Sequence, residues 1–328
     1  AGGAYVPIDP NFPYCRCAMS YAHRVQVQIL ICPDEHREQV DFKGIFVNCD
    51  LLASHENQAN NPAQLGSQDN LACVIFTSGS TGQPKGVMIN QGSLVNFIHD
   101  IDKRGIFQNE DDRIICVTTL SFDIFGFESI VPLCLGRSIY LADENEQLDP
   151  ALANQRILEH KVTHILSTVS RIKVFVENPE FDQALKHLRC ILSGGENYPI
   201  QLLKDLQKRS QAKLYNMYGP TETTIWSTTK DLTHADVVNI GGPIANTQLY
   251  IMNRAGKLQP IGVFGELCIA GQGLARGYLN NLDETANKFA YSAEVSARIY
   301  KTGDRTRLME NGDVEITGRI DSQVKIRG

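Results

Sequence analysis

The chain has 328 residues, 42% of them apolar and 21% charged, with a formal net charge of −6. This is the composition of a folded globular enzyme and excludes a disordered or fibrous chain. No run of Lys and Arg forms a basic stripe, which argues against nucleic acid as a partner, and no stretch approaches the roughly eighteen apolar residues of a membrane span. Nine cysteines, without a CxxC pair, read as small hydrophobes of a reduced, cytoplasmic protein.

Strand and helix patterns alternate from about residue 71 to residue 240. Residues 71–77 (LACVIFT) read as an apolar strand, 92–102 as a helix with Leu94, Phe97 and Ile98 on one face, and 113–118 as a strand. An apolar helix over 127–135 and a strand over 138–141 follow, then helix 150–160, strand 163–166, helix 171–176, strand 188–192, helix 200–209 and strand 213–216. Such alternation predicts an α/β fold with largely parallel sheets, crossover helices and layered packing. After Asn239 short strands at 248–252, 266–270, 299–301 and 314–316 are separated by Gly, Pro and Asn turns, which predicts a smaller β-rich part. Residues 53–70 are polar and read as an exposed loop. The chain opens without Met and stops inside an apparent strand, so a piece of a longer polypeptide is expected.

The sharpest local signal is Thr77-Ser78-Gly79-Ser80-Thr81-Gly82-Gln83-Pro84-Lys85-Gly86, directly after a buried strand. Glycines let successive backbone N–H groups converge on an anion, and the hydroxyls and the lysine add donors and charge. The spacing is not that of a Walker loop. Gly271-Gln272-Gly273-Leu274-Ala275-Arg276-Gly277 misses a dinucleotide fingerprint and reads as a structural turn. The histidines, His160 and His164 included, lack convincing ligand spacing.

The loop is one of six motifs in order. Residues 3–9 (GAYVPID), 216–222 (NMYGPTE), 265–278 (GELCIAGQGLARGY), 300–304 (YKTGD) and 318–328 (GRIDSQVKIRG) accompany it. Together they resemble the amino-acid adenylation domains of nonribosomal peptide synthetases, within the adenylate-forming superfamily. The resemblance covers the whole chain. It implies the adenylate-forming fold, truncated at both ends: an α/β part over 1–240, a β-rich distorted barrel over 241–317, and a hinge at 318–328 to a missing C-terminal subdomain that carries the lysine bridging carboxylate and phosphate. The fragment is then expected not to turn over alone.

The resemblance assigns roles residue by residue. Thr77, Ser78, Gly79, Ser80, Thr81 and Gly82 would cradle phosphates, with Lys85 adding charge. Thr221 and Glu222 would face the α-phosphate, and Glu222 would hold Mg²⁺, since a carboxylate suits a hard cation. Tyr218 would pack beside adenine, Asn216 would bond its amine, and Gly194, Gly195 and Glu196 would form its wall. Asp304 would take the ribose diol, with Arg319 near ribose and phosphate. Asp321 matches the hinge, and Lys325 lies just past it. The implied partners are ATP, an amino acid, and carrier and condensation domains of the same synthetase, the carrier bearing phosphopantetheine.

Asp123, after Phe122, stands where the family binds the substrate α-amine. The rest of the pocket is implied to be Ile124, Phe127, Leu166, Leu192, Gly194, Met217, Ile225 and Trp226. None of these is charged, so a charged substrate side chain would go unpaired at a cost of several kcal/mol, roughly 2–7 even for a neutral polar group. The set resembles glycine-type pockets most. Leu166 and Phe127 depart from that pattern and leave alanine or cysteine open. Alternatives are a stand-alone ligase joining acyl or aryl acids to coenzyme A, which Asp123 disfavours, and a non-catalytic scaffold. Arg305 stands where the family usually has an apolar residue.

Overall fold

The computed structural model describes residues 2–8, 27–37, 42–52, 63, 65–77 and 84–320. Sixteen strands are named in chain order: β1 (Ile29–Cys32), β2 (Ile45–Asn48), β3 (Leu71–Thr77), β4 (Lys85–Asn90), β5 (Arg113–Cys116), β6 (Ser138–Leu141), β7 (His164–Thr168), β8 (Cys190–Gly194), β9 (Lys213–Tyr218), β10 (Thr228–Asp231), β11 (Gly242–Pro243), β12 (Thr247–Met252), β13 (Gly265–Gly271), β14 (Phe289–Ser292), β15 (Ala297–Leu308) and β16 (Val314–Arg319).

A seven-stranded sheet in the order β11-β10-β9-β8-β7-β5-β6 organises the α/β part. β9, β8, β7, β5 and β6 are parallel, and β10 and β11 extend the edge antiparallel. Each of these parallel strands splits its side chains between two faces, because successive residues point to opposite sides. Ile115, Ile165, Ile191 and Leu214 face one core, closed by helices Pro150–Glu159, Val169–Glu177, Phe181–His187 and Ile200–Arg209. Ile114, Leu166, Leu192 and Met217 face another, closed by helices Gln91–Arg104 and Ile124–Cys134. The result is helix, sheet, helix, with each buried large side chain contributing about 1.5–3 kcal/mol.

One sequence expectation is corrected here. β3 does not join the parallel sheet. It pairs antiparallel with β4 as a hairpin, with Thr77 opposite Lys85. A short apolar β-branched run is compatible with either setting. The hairpin packs through Cys73, Ile75, Val87 and Ile89 onto Leu274, Tyr278, Phe289 and Tyr300 of the β-rich part.

In the β-rich part β12, β13 and β15 are antiparallel neighbours. β15 is one twelve-residue strand through Gly303-Asp304, longer than the expected 299–301, and pairs with β14 near its start and β16 near its end. The change of sheet comes slightly later than residue 240, since β11 still belongs to the large sheet. Arg305 lies over the Phe264 ring at 3.9 Å, with Arg307 at 4.8 Å from the same ring. The guanidinium thus covers apolar surface as the usual apolar residue would. His164 is buried between the Thr163 hydroxyl and the Ile106 carbonyl and stacks on Phe107, a core role. Cys73, Cys116, Cys190 and Cys268 are buried in the interior. Among the described residues no helix is long and apolar enough to cross a membrane.

Candidate active site

The parallel strands run β6-β5-β7-β8-β9, so the chain steps outward from β5 to β6 and then returns past β5 to β7. Open α/β sheets bind ligands at such a reversal, outside the carboxyl ends of the strands, here β5 and β7. Asp123 follows β5, Leu166 lies on β7, Gly194 ends β8, Tyr218 ends β9, and Thr221 and Glu222 follow it. The topology therefore gathers residues that are far apart in sequence.

Phe127, Leu166, Leu192, Met217, Ile225 and Trp226 belong to one buried cluster, and Ile124 packs against it. Trp226 meets Phe127 at 4.7 Å and Phe97 at 4.6 Å between ring centres. Phe97 was not among the expected pocket residues; its place on the buried face of helix Gln91–Arg104 is the signal that could have found it. Gly194 has no room for a side chain, because a Cβ there would stand 2.5 Å from the Met217 carbonyl oxygen. Thr224 and Ile225 adopt φ of 65° and 66°, left-handed conformations that β-branched residues avoid. The Thr224 hydroxyl, donating to the Gly273 carbonyl at 2.8 Å, helps to hold that turn.

Asp123 stands at the start of helix Ile124–Cys134. Thr221 and the Ile124 N–H bond to its carboxylate. Its Oδ2 is sealed from solvent and has no hydrogen-bond partner. Burial raises its pKa to about 6, these hydrogen bonds oppose the rise, and Glu222 adds to it.

Around Glu222 the structure adds residues that the sequence reading missed. Tyr278 Oη donates to Glu222 Oε1 at 2.7 Å, and Tyr300 interacts with both. Lys85 Nζ pairs with Glu284 Oε1 at 2.5 Å and lies 5.4 Å from the Tyr278 ring centre. Among the described residues no three His, Cys, Asp or Glu side chains form a metal cage. A single carboxylate fits Mg²⁺, which takes one or two carboxylates and fills its shell with phosphate and water.

The residues expected around the nucleotide bond to one another and to the backbone. Asp304 is buried; its Oδ2 accepts from the Tyr218 hydroxyl and its Oδ1 from Arg319 Nη1 at 3.2 Å. β15 and β16 place Asp304 opposite Arg319 in register. Tyr218 is thus a core residue holding Asp304, and burial pushes its phenol well above its ordinary range. Asn216 donates its amide to the Asn239 carbonyl at 2.8 Å, which orients the side chain. Glu196 accepts from the Ser170 N–H at 2.7 Å, at the start of helix Val169–Glu177. Gly195 has φ +81°. Thr77 and Lys85 are placed at the two ends of the hairpin loop. Ser78, Gly79, Ser80, Thr81, Gly82, Asp321 and Lys325 lie outside the described residues.

The family model described as AMP-binding enzyme matches residues 1–279. Tyrocidine synthase 3 of Brevibacillus parabrevis is 37% identical over the whole chain, which spans 5% of that protein. The solved structure of the nonribosomal peptide synthetase FmoA3 (S1046A) in its alpha-methyl-L-serine-AMP bound form superposes with a TM-score of 0.89 at 28% identity, covering 98% of this chain and 37% of that one. The four-domain nonribosomal peptide synthetase holo-AB3403, bound to AMP and glycine, gives 0.84 at 30% identity, over 100% of this chain and 24% of that one.

Proposed function

The chain belongs to the AMP-binding enzyme family, and from that premise we propose that it activates a small amino acid with ATP to give an aminoacyl adenylate and pyrophosphate. Glycine is the favoured substrate, with alanine and cysteine its nearest competitors. The observation that carries this reading is Asp123: a sealed carboxylate oxygen without a partner, beside an apolar cluster and bonded to Thr221. A buried carboxylate calls for a cation, and an α-ammonium group supplies one. The neighbour bound to AMP and glycine supports the choice of amino acid.

In the reaction the substrate carboxylate attacks the α-phosphorus, an oxygen–phosphorus bond forms, and the bond to pyrophosphate breaks. Two anions must approach, so catalysis rests on fixed donors and positive charge. Asp123 holds the ammonium end. Thr221 bonds to Asp123 and leads directly to Glu222, which ties amine recognition to the phosphate side. Asp304 and Arg319 hold the ribose end, and Lys85 and the loop from Thr77 hold phosphates. Mg²⁺ on Glu222 would supply further charge neutralisation. The aminoacyl group would then pass to a phosphopantetheine thiol on a carrier domain, within a synthetase that also has condensation domains.

A second reading concerns the side chain alone. Trp226 Nε1 is buried without a hydrogen-bond partner, which favours a small substrate ending in an acceptor such as the hydroxyl of serine. Amino-acid-dependent ATP–pyrophosphate exchange over the twenty amino acids, in the full polypeptide carrying this sequence, tests both. The first reading expects glycine to lead and the second expects serine; exchange driven by aryl or fatty acids alone would overturn both.

A further inference from the structure

Glu128 and Arg171 lie on the two helices that follow β5 and β7. Glu128, on helix Ile124–Cys134 after β5, is 0% exposed. Its Oε2 accepts from the Val117 N–H at 3.1 Å and the Thr118 N–H at 2.9 Å, the first two residues beyond β5. The Cys116 thiol and the Thr118 hydroxyl lie within its electrostatic reach. Arg171, on helix Val169–Glu177 after β7, donates Nη1 to the Val117 carbonyl at 3.3 Å. Glu128 Oε1 and Arg171 Nη2 are both sealed from solvent without a hydrogen-bond partner. The proposed chemistry uses neither residue.

A buried charge is retained at a cost, because an apolar pair of the same volume usually serves stability as well or better. The position of this pair suggests what the cost sustains. Glu128 directly follows the pocket residue Phe127, on the helix that Asp123 begins. Arg171 directly follows Ser170, whose N–H Glu196 caps. The backbone at Val117 is gripped on both of its peptide groups, the Val117 N–H by Glu128 and the Val117 carbonyl by Arg171.

We propose that Glu128 and Arg171 are positioning residues that clamp the end of β5 and hold Asp123 at a fixed place relative to the wall at Gly194–Glu196. The inference rests on the reading that Asp123 receives the substrate amine. Burial pushes the Glu128 carboxyl up to about 7, and the hydrogen bonds from Thr118, Cys116 and Val117 oppose the rise.

The test uses Glu128→Met and Arg171→Met in the full polypeptide, with Michaelis constants for amino acid and ATP from pyrophosphate exchange and melting temperatures alongside. Glu128→Met, which removes the acceptor of the Val117 and Thr118 N–H groups, is expected to raise the amino-acid KM about tenfold through misplacement of Asp123. The ATP KM should stay within about threefold, since Tyr218, Asp304 and Arg319 stand apart. Arg171→Met should move the same constant in the same direction, and the double variant should be little worse than the stronger single one, as for residues acting as one unit. Parallel changes in both constants that track a lowered melting temperature would overturn the proposal, as would unchanged constants. If Glu128→Met does not fold, Arg171→Met decides by the same criterion. Wild-type exchange that ignores amino acids would refute the functional reading instead, whereas wild-type exchange with both variants unaltered refutes the clamp alone.

Discussion

Replacing Asp123 by Asn should make the ligand-free protein more stable and almost inactive. Burial raises the carboxyl pKa from 3.8 to about 6. That shift corresponds to about 3 kcal/mol, at 1.36 kcal/mol per pH unit. The folded pKa lies above the unfolded one. The favourable contribution is therefore complete below about pH 4 and is lost as pH rises through 6. At pH 7.5 the wild type carries an ionised, incompletely paired carboxylate, and Asn removes that charge at nearly equal volume. Asp123→Asn should gain up to about 3 kcal/mol of stability at pH 7.5, with the gain vanishing toward pH 4. The same change removes the partner of the substrate ammonium, so kcat/KM for the amino acid should fall by about 10² or more, the equivalent of the same energy. Thermal melts from pH 4 to 8, paired with pyrophosphate exchange, measure both effects. A variant that melts lower than wild type at pH 7.5, or that keeps its amino-acid kcat/KM, would refute the reasoning.

In the wild type, kcat/KM for the amino acid should decline about tenfold per pH unit below pH 6, as Asp123 takes up a proton; a flat profile from pH 5 to 7 would contradict this. Trp226→Ala should admit larger apolar amino acids, with about fourfold in relative kcat/KM per added methylene, the equivalent of about 0.8 kcal/mol, read from competition between glycine, alanine, valine and leucine. Asp304→Ala should weaken ATP binding in a direct titration, because it removes the oxygens that Tyr218 and Arg319 hold in place; unchanged affinity would remove Asp304 from the ribose site. Gly194→Ala forces a Cβ to 2.5 Å from the Met217 carbonyl oxygen and should cost about 1–3 kcal/mol in denaturant unfolding.

That Leu166, Leu192 and Met217 share one buried cluster was legible because sheet faces follow a period of two. Leu166, Leu192 and Met217 fall on one face of their strands, and motif order was enough to group them. The strand before the glycine-rich motif was legible, but LACVIFT does not reveal whether its partner runs parallel or antiparallel. Long-range pairs left no local trace. Lys85 meets Glu284 because the hairpin lies against the β-rich part, and Tyr278 meets Glu222 across the 56 residues that separate them in sequence. The double grip on Asp304 arises from the register of β15 with β16 and the end of β9, which no single segment encodes. Glu128 could have been noticed, since it is the one charged residue in the apolar helix IFGFESIVPLC.

The central claim is that Asp123 pairs with a substrate amine. It is tested most directly by titrating the full polypeptide with two non-hydrolysable adenylate analogues that differ only in that group, glycyl-sulfamoyl-adenosine and acetyl-sulfamoyl-adenosine. The glycyl compound should bind on the order of a hundredfold tighter in the wild type, the equivalent of about 3 kcal/mol, and the difference should collapse in Asp123→Asn. Equal affinities in the wild type would contradict the account.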